Sequence, residues 1–198
     1  ALTDAERQQG CAVVDFGATV TDIAIFRSGQ LRFLDSIPYG SDEVTRAIAR
    51  TLNISWDMAE DMKKSYVVVR HEQPSADEEV LIKTEDGYVP VKKNMMSESI
   101  EPVVIDLLNM VKASIKRSGW DGQLAAGMVV SGGGSLLSGF AERLDQDIAM
   151  PVKLAKIPFT SKRMHHAVKF LSPIGLARAG FDRNASLLTK KGEYSNWV

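Results

Sequence analysis

The sequence predicts an α/β fold: a mixed sheet that opens with an antiparallel meander and is interrupted by a small inserted α+β subdomain. Three stretches carry that prediction. Residues 11–39 read as three apolar strands joined by tight turns. Ala126 to Val130 is almost wholly apolar, as in a strand buried on both faces, and runs directly into Ser131-Gly132-Gly133-Gly134-Ser135 and a helical pattern. Between them, Glu85-Asp86-Gly87 joins two short β-type runs, a strong hairpin signal with a helical pattern on either side.

The 198 residues are 44% hydrophobic and 25% charged with a formal net charge of -1, enough to bury a real core as one large domain or two small ones. Near-neutral charge gives no electrostatic reason to expect nucleic acid or an acidic membrane as the main partner. A single cysteine, Cys11, excludes an internal disulfide and favours a reducing compartment. It opens an apolar strand and reads as a buried thiol rather than a nucleophile. No apolar run approaches the length of a membrane span, and Ala1 to Gly10 mixes charges in a way unlike a signal peptide. The start at Ala1, immediately before the strongest motif, is expected of a piece of something longer.

Element by element, Cys11 to Phe16 and Thr21 to Phe26 are the first two strands, Arg27-Ser28-Gly29-Gln30 a turn, and Leu31 to Tyr39 the third. Gly40-Ser41-Asp42-Glu43 supplies a break, a cap and acidic first-turn residues for a helix with Val44, Ile48 and Leu52 on one face. A second helix starts near Ser55, with Ala59 and Met62 inward and Glu60, Lys63 and Lys64 on another face, where spacing alone reads them as solvated. Tyr66 to Arg70 is a short β-branched run, followed by a polar loop and the hairpin Val80–Thr84/Tyr88–Lys92. Ser97 to Arg117 is the longest helical pattern, with Ile100, Val104, Leu107, Leu108, Val111 and Ile115 on one face and Pro102 tolerable near its start or at a kink. Pro151 to Ile157 alternates as a further strand. Phe159 to Arg163 is a basic loop, and Met164–Leu171 and Pro173–Gly180 read as two short helices. His165-His166 point in different directions on a helix, with no cysteine or carboxylate cluster to join them, so they are not read as metal ligands. Beyond Asp182 the chain is polar, a linker over 183–198.

Two turns carry the chemistry. Asp15 ends a strand, and Gly17, lacking a Cβ, lets backbone amides approach a ligand, with Thr19, Thr21 and Asp22 offering further oxygens. A carboxylate beside exposed N–H groups suits a phosphate carrying magnesium; an ordinary hairpin turn has the same Asp-x-Gly pattern. The triple glycine after the buried strand, leading through Ser138-Gly139 into Phe140, Leu144 and Ile148, has the form of a phosphate or nucleotide cradle, and equally that of a flexible connection. An α/β sheet sets both turns at one edge, where ligands bind, and that combination is more specific than either turn.

The pair resembles the actin, sugar-kinase and chaperone ATPase superfamily, an RNase H-like fold. In it Asp15-x-Gly17-x-x-x-Thr21-Asp22 corresponds to the second phosphate motif and Val130 to Ser135 to the adenosine motif. The closer resemblance is to the bacterial cell-division family FtsA. Val13-Val14-Asp15-Phe16-Gly17 with Thr21-Asp22-Ile23-Ala24-Ile25-Phe26 is similar to its VVDIGGGTTDIAVF, as are Ile37-Pro38-Tyr39-Gly40 with Val44-Thr45 and Ile48-Ala49, and Ala59-Glu60-Asp61-Met62-Lys63, to later family motifs. The likeness runs from about Asp4 to Gly180 and covers the second half of the family's body: subdomain IIA (1–54 and 119–182) and an inserted subdomain IIB (55–118).

The resemblance implies ATP and Mg2+ as cofactors. Asp15 would stand beside the metal; Gly17, Ala18, Thr19 and Thr21 beside the phosphates; Glu60 and Lys63 beside the ribose and adenine; Gly132, Gly133, Gly134 and Ser135 beside the adenosine and α-phosphate. It also implies that subdomain IIB grips the C-terminal tail peptide of the tubulin-like protein FtsZ, and that the full-length protein self-associates into filaments and sits at the inner face of the membrane through a C-terminal helix not seen here. Weak ATPase activity is expected of the full-length protein and none of this stretch alone. Two departures stand out. Ala18-Thr19-Val20 replaces Gly-Gly-Thr, so a side chain stands where an amide would be bare, and Val103 stands where some relatives have an arginine anchor for an acidic tail. A PilM-like pilus-assembly adaptor, a sugar or acid kinase fragment and a degenerate adaptor that binds no nucleotide are the alternatives; no catalytic carboxylate with a substrate pocket is visible for a kinase.

Overall fold

The strands are β1 (Cys11–Phe16), β2 (Thr21–Arg27), β3 (Gln30–Ile37), β4 (Glu79–Thr84), β5 (Gly87–Lys92), β6 (Met128–Ser131) and β7 (Val152–Leu154). The helices are α1 (Asp4–Gln9), α2 (Asp42–Leu52), α3 (Trp56–Tyr66), α4 (Lys93–Arg117) and α5 (Phe140–Asp147). This computed structural model describes residues 2–69, 78–84, 87–156 and 167–179.

One five-stranded mixed sheet has the order β3-β2-β1-β6-β7, and β4 and β5 form a separate two-stranded sheet. β1, β2 and β3 are antiparallel, as the alternation predicts, while β6 runs parallel to both β1 and β7. Register fixes the faces, because side chains alternate along a strand. Val14 and Phe16 pair with Ile23 and Thr21 and share a face with Met128 and Val130, and all are buried. Val44 and Ile48 of α2, the apolar stripe of α4 from Met96 to Ile115, and Phe140 and Leu144 of α5 complete that core. The other face carries Val13, Asp15, Asp22, Ala24 and Leu34, which are less covered. Cys11 is buried, and burial pushes its thiol pKa up, as suits an inert core cysteine.

Polar pins join the layers. Asp35 of β3 accepts from Ser114 of α4 at 2.5 Å and from Arg117. Arg143 of α5 makes a forked pair with Glu101 of α4 at 3.0 and 2.7 Å.

Besides β3 and β7, which end early at Ile37 and Leu154, four elements differ from the prediction. α1, read as a polar start, is a helix capped by Thr3, whose hydroxyl accepts from the Glu6 amide while the Glu6 carboxylate accepts from the Thr3 amide at 2.7 Å. α4 starts at Lys93 rather than Ser97, because Met96 extends the buried stripe and the Lys93 amide bonds the Glu78 carbonyl at 2.8 Å. Pro102 therefore lies inside α4. Having no amide, it cannot bond the carbonyl of Glu98, a residue on the exposed face of the helix. Among the described residues of the Tyr66–Arg70 run there is no strand, and Val68 makes an isolated bridge to Ser138. The last helices merge, with a 3₁₀ turn over Ala167–Phe170 running into a helix over 171–179. Arg70 and the loop after it, the Glu85-Asp86 turn pair, the basic loop, His165-His166 and the polar linker lie outside the described residues.

α1 is too short to be stable alone and is held by the edge strand β7 through an ion pair between Glu6 and Lys153. The Lys153 ammonium, with the Thr3 amide, holds the Glu6 carboxyl at about 2, against 4.5 ordinarily. A lowered carboxyl pKa contributes stability that is full above pH 4.5 and is lost as the pH falls toward 2. Unfolding free energy measured across that window should fall more steeply for the wild type than for Glu6→Gln; identical slopes would remove the pair from the balance.

Candidate functional site

The two glycine turns lie side by side. Asp15 and Ser131 are register partners at the ends of the adjacent parallel strands β1 and β6, so both turns leave the sheet at the same edge. Gly132 follows with φ +88°, and a Cβ there would stand 2.4 Å from the Phe16 carbonyl oxygen and 2.5 Å from Asp15 Oδ1. A Cβ on Gly134 would stand 2.5 Å from the Phe16 ring, which stacks on Phe140 with centroids 4.7 Å apart. The Ser135 hydroxyl is buried and donates to the Gly132 carbonyl at 2.7 Å, closing the loop on itself. The triple glycine is thus a close-packed loop rather than a slack connection.

The first turn is held from behind by the start of α2. The Gly17 amide donates across the turn to Val20, and the amides of Ser41 and Asp42 donate to the carbonyls of Gly17 and Ala18 at 3.0 and 2.8 Å. Those bonds face the turn's carbonyls inward. Among the described residues, the amides of Ala18, Thr19 and Gly133 donate to no protein acceptor, and all three residues are exposed. Thr21 is different. It is fully buried and its hydroxyl donates to the Tyr39 carbonyl at 2.7 Å, so it offers no oxygen to a ligand and serves instead to tie β2 to the chain before α2.

Glu60 and Lys63 are also not the solvated pair that spacing suggests. Lys63 is 5% exposed; its ammonium meets Glu60 at 2.6 Å and donates to the Ser41 carbonyl at 3.2 Å and the Ser41 hydroxyl at 3.4 Å. Glu60 also accepts from Thr45 at 2.6 Å. Burial raises the Glu60 pKa, but the bonds from Lys63 and Thr45 outweigh it and the net direction is down, keeping the carboxylate ionised. Through Ser41 this pair reaches the back of the Gly17 turn. Val103 is half-buried and lines a small apolar cavity of about 10 Å³ with Phe16, Val69 and Leu107.

A third segment, not singled out from the sequence, borders the turns. The Gly132 amide donates to the Val168 carbonyl at 3.4 Å, Lys169 Cβ lies 3.9 Å from where a Gly133 Cβ would be, and the Ser172 hydroxyl donates to Asp15 Oδ2.

The donor set fits a magnesium-bearing phosphate. Unbonded amides suit phosphate oxygens, and the absence of a Cβ at Gly132 leaves Asp15 and the loop backbone in direct contact. Asp15 stands directly opposite Asp22 in the β1–β2 ladder; like charges so placed repel, and a cation beside them relieves that. Among the described residues, no group of three or more His, Cys, Asp or Glu gathers as a metal cage, and magnesium held through phosphates, water and one or two carboxylates needs none. Among the described residues, no helix is long and apolar enough to cross a membrane.

The family described as Cell division protein FtsA matches residues 12–173. Cell division protein FtsA of Pseudomonas aeruginosa is 30% identical over 93% of this chain, and that of Escherichia coli K12 is 33% identical over 71%. The chain spans 45% and 36% of those relatives' lengths, less than half of each. Among solved structures, a PilM-PilN type IV pilus biogenesis complex aligns at TM-score 0.67 and 21% identity, covering 89% of this chain and 47% of that one. MreB 5 of Spiroplasma citri bound to AMPPNP aligns at 0.65 and 17%, covering 90% and 57%. At such identities these structures establish a shared fold, that of the actin-like ATPases.

Proposed function

Since this chain belongs to the FtsA family of cell-division proteins, we propose that it supplies one wall of an ATP site and a peptide-binding subdomain to an actin-like protein that polymerises and tethers FtsZ filaments to the membrane. The observation that carries the nucleotide half is the meeting of the Asp15 turn with the triple glycine across one β1–β6 edge. In this reading Asp15 faces the water shell of magnesium. The amides of Ala18, Thr19 and Gly133 face phosphate oxygens, Gly17 and Gly132 let the backbone come close, and Gly134 and Ser135 hold the loop's shape. Glu60 takes the ribose side, with Lys63 orienting it. When bound, the nucleotide supplies the charge that draws the facing lobe onto this one.

We divide the chain accordingly into subdomain IIA (1–54 and 119–182), IIB (55–118) and a linker (183–198). IIB presents the hairpin face on which Leu81 and Tyr88 are 65% and 68% exposed, with Lys92 on the same face, and the exposed Ile105 of α4; apolar residues beside lysines suit an acidic, partly apolar tail. The PilM likeness is one of fold, and the sequence match is to FtsA, which favours the FtsZ tail over a pilus peptide.

Two titrations test this. With one wall only, the 198-residue chain should bind ATP weakly, and tight micromolar binding by calorimetry would contradict the two-lobe account. In the full-length protein, Asp15→Ala should abolish magnesium-dependent ATP binding and leave binding of a labelled FtsZ tail peptide intact. Unchanged ATP affinity removes Asp15 from its role, and no peptide binding by the folded protein removes the tether.

A further inference from the structure

Asp15 is held from two sides by parts of the chain more than a hundred residues away. Its Oδ1 lies against the bare Cα of Gly132, and its Oδ2 accepts the Ser172 hydroxyl. Ser172 is itself placed by backbone: the Val168 carbonyl accepts from the Gly132 amide, and Lys169 packs over Gly133, so the start of the 171–179 helix is registered on the glycine loop before its serine reaches the carboxylate.

We infer that Ser172 is a positioning residue for the magnesium-facing carboxylate, fixing the rotamer of Asp15 and making the 167–172 segment a third border of the site. The inference rests on the nucleotide reading above. A carboxylate that must meet one water of a small, rigidly octahedral ion gains from having a single orientation, and a hydrogen bond to one of its oxygens sets one. The contact does not compete with the ion. Asp15 offers about four lone-pair sites and Ser172 uses one, while the serine oxygen keeps its own lone pairs for a metal-bound water. The hydroxyl, rather than the bulk of the residue, is what the geometry requires.

The test is titration of a fluorescent ATP analogue against the full-length protein, with magnesium and with chelator. Ser172→Ala and Ser172→Val should each weaken magnesium-dependent affinity about tenfold while leaving affinity in chelator unchanged, and Ser172→Thr, which keeps the hydroxyl, should stay within about threefold of wild type. Val and Thr have nearly the same shape, so a packing defect would weaken both. Equal losses for Val and Thr, or an Ala variant that binds as well as or better than wild type in magnesium, overturn the inference while leaving the nucleotide reading intact. A wild-type protein that binds nucleotide in neither condition overturns that reading and this inference with it.

Discussion

Alanine substitution at each of the three consecutive glycines should give three different results. Gly132→Ala should cost about 3 kcal/mol of stability, because the new Cβ would stand 2.4 Å from a backbone carbonyl at a φ of +88° that L residues rarely adopt. Neither neighbour can yield cheaply: the carbonyl is that of Phe16 at the end of β1, and the second contact is Asp15 itself. Gly134→Ala should cost about 2 kcal/mol, since its Cβ would press on the Phe16 ring at 2.5 Å and displace the stack on Phe140. Gly133 has helical dihedrals, φ −64° and ψ −36°, and the nearest atom to its added Cβ is 3.9 Å away. Gly133→Ala should therefore be neutral or stabilising by up to about 1 kcal/mol, through a less free unfolded chain. Denaturant unfolding of the three variants checks the order; a Gly133 variant as unstable as Gly132 would mean that the loop is not held as described. Gly132→Ala should also be the worst for magnesium-nucleotide affinity, since it displaces the carboxylate as well as the backbone.

That the two turns share an edge was legible in the sequence for a simple reason. Each follows an apolar run, and parallel strands of an α/β sheet carry the loops that follow them at the same end. What the sequence did not disclose is how each side chain spends its polar atoms. Thr21 sits in the motif and reads as a ligand oxygen, yet period-two alternation places it with Phe16 on the core face, where the Tyr39 carbonyl takes its proton. Lys63 reads as a surface charge from its helix spacing, and its burial depends on an acceptor, the Ser41 carbonyl, that belongs to another helix's start. Ser172 reads as an ordinary residue before a proline; its meeting with Asp15 depends on where the chain returns after β7, which periodicity does not encode. α1 is the opposite case, because the Thr3-x-x-Glu6 capping box was present and only the lack of an apolar face hid the helix.

Arg143 sets how firmly α5, which follows the glycine loop, is joined to α4, and its removal should have the second large effect. Arg143 is 3% exposed, its fork meets both carboxylate oxygens of Glu101, and its Nε donates to Asp147 at 2.5 Å. Both carboxylates hold the guanidinium pKa up, most strongly Glu101, and burial opposes them. Removing the cation leaves two acidic side chains facing each other in a place shaped for it. Because Glu101 and Asp147 each keep some contact with water, Arg143→Ala should cost about 2–3 kcal/mol, at or just below the range for breaking a fully buried pair. Arg143→Lys should recover only part of this, since an ammonium cannot bond both oxygens of Glu101 and reach Asp147 from the same stem. Arg143 lies on α5, which follows the loop that contains Gly132, and Glu101 lies on the long helix α4. The loss should therefore fall on the junction as well as on global stability. Amide exchange should rise at the first turns of α5 and in the middle of α4 in Arg143→Ala while the β1–β2–β3 meander stays protected; uniform loosening of the whole sheet would show that the pair stabilises the fold generally and does not act at the α4–α5 contact in particular.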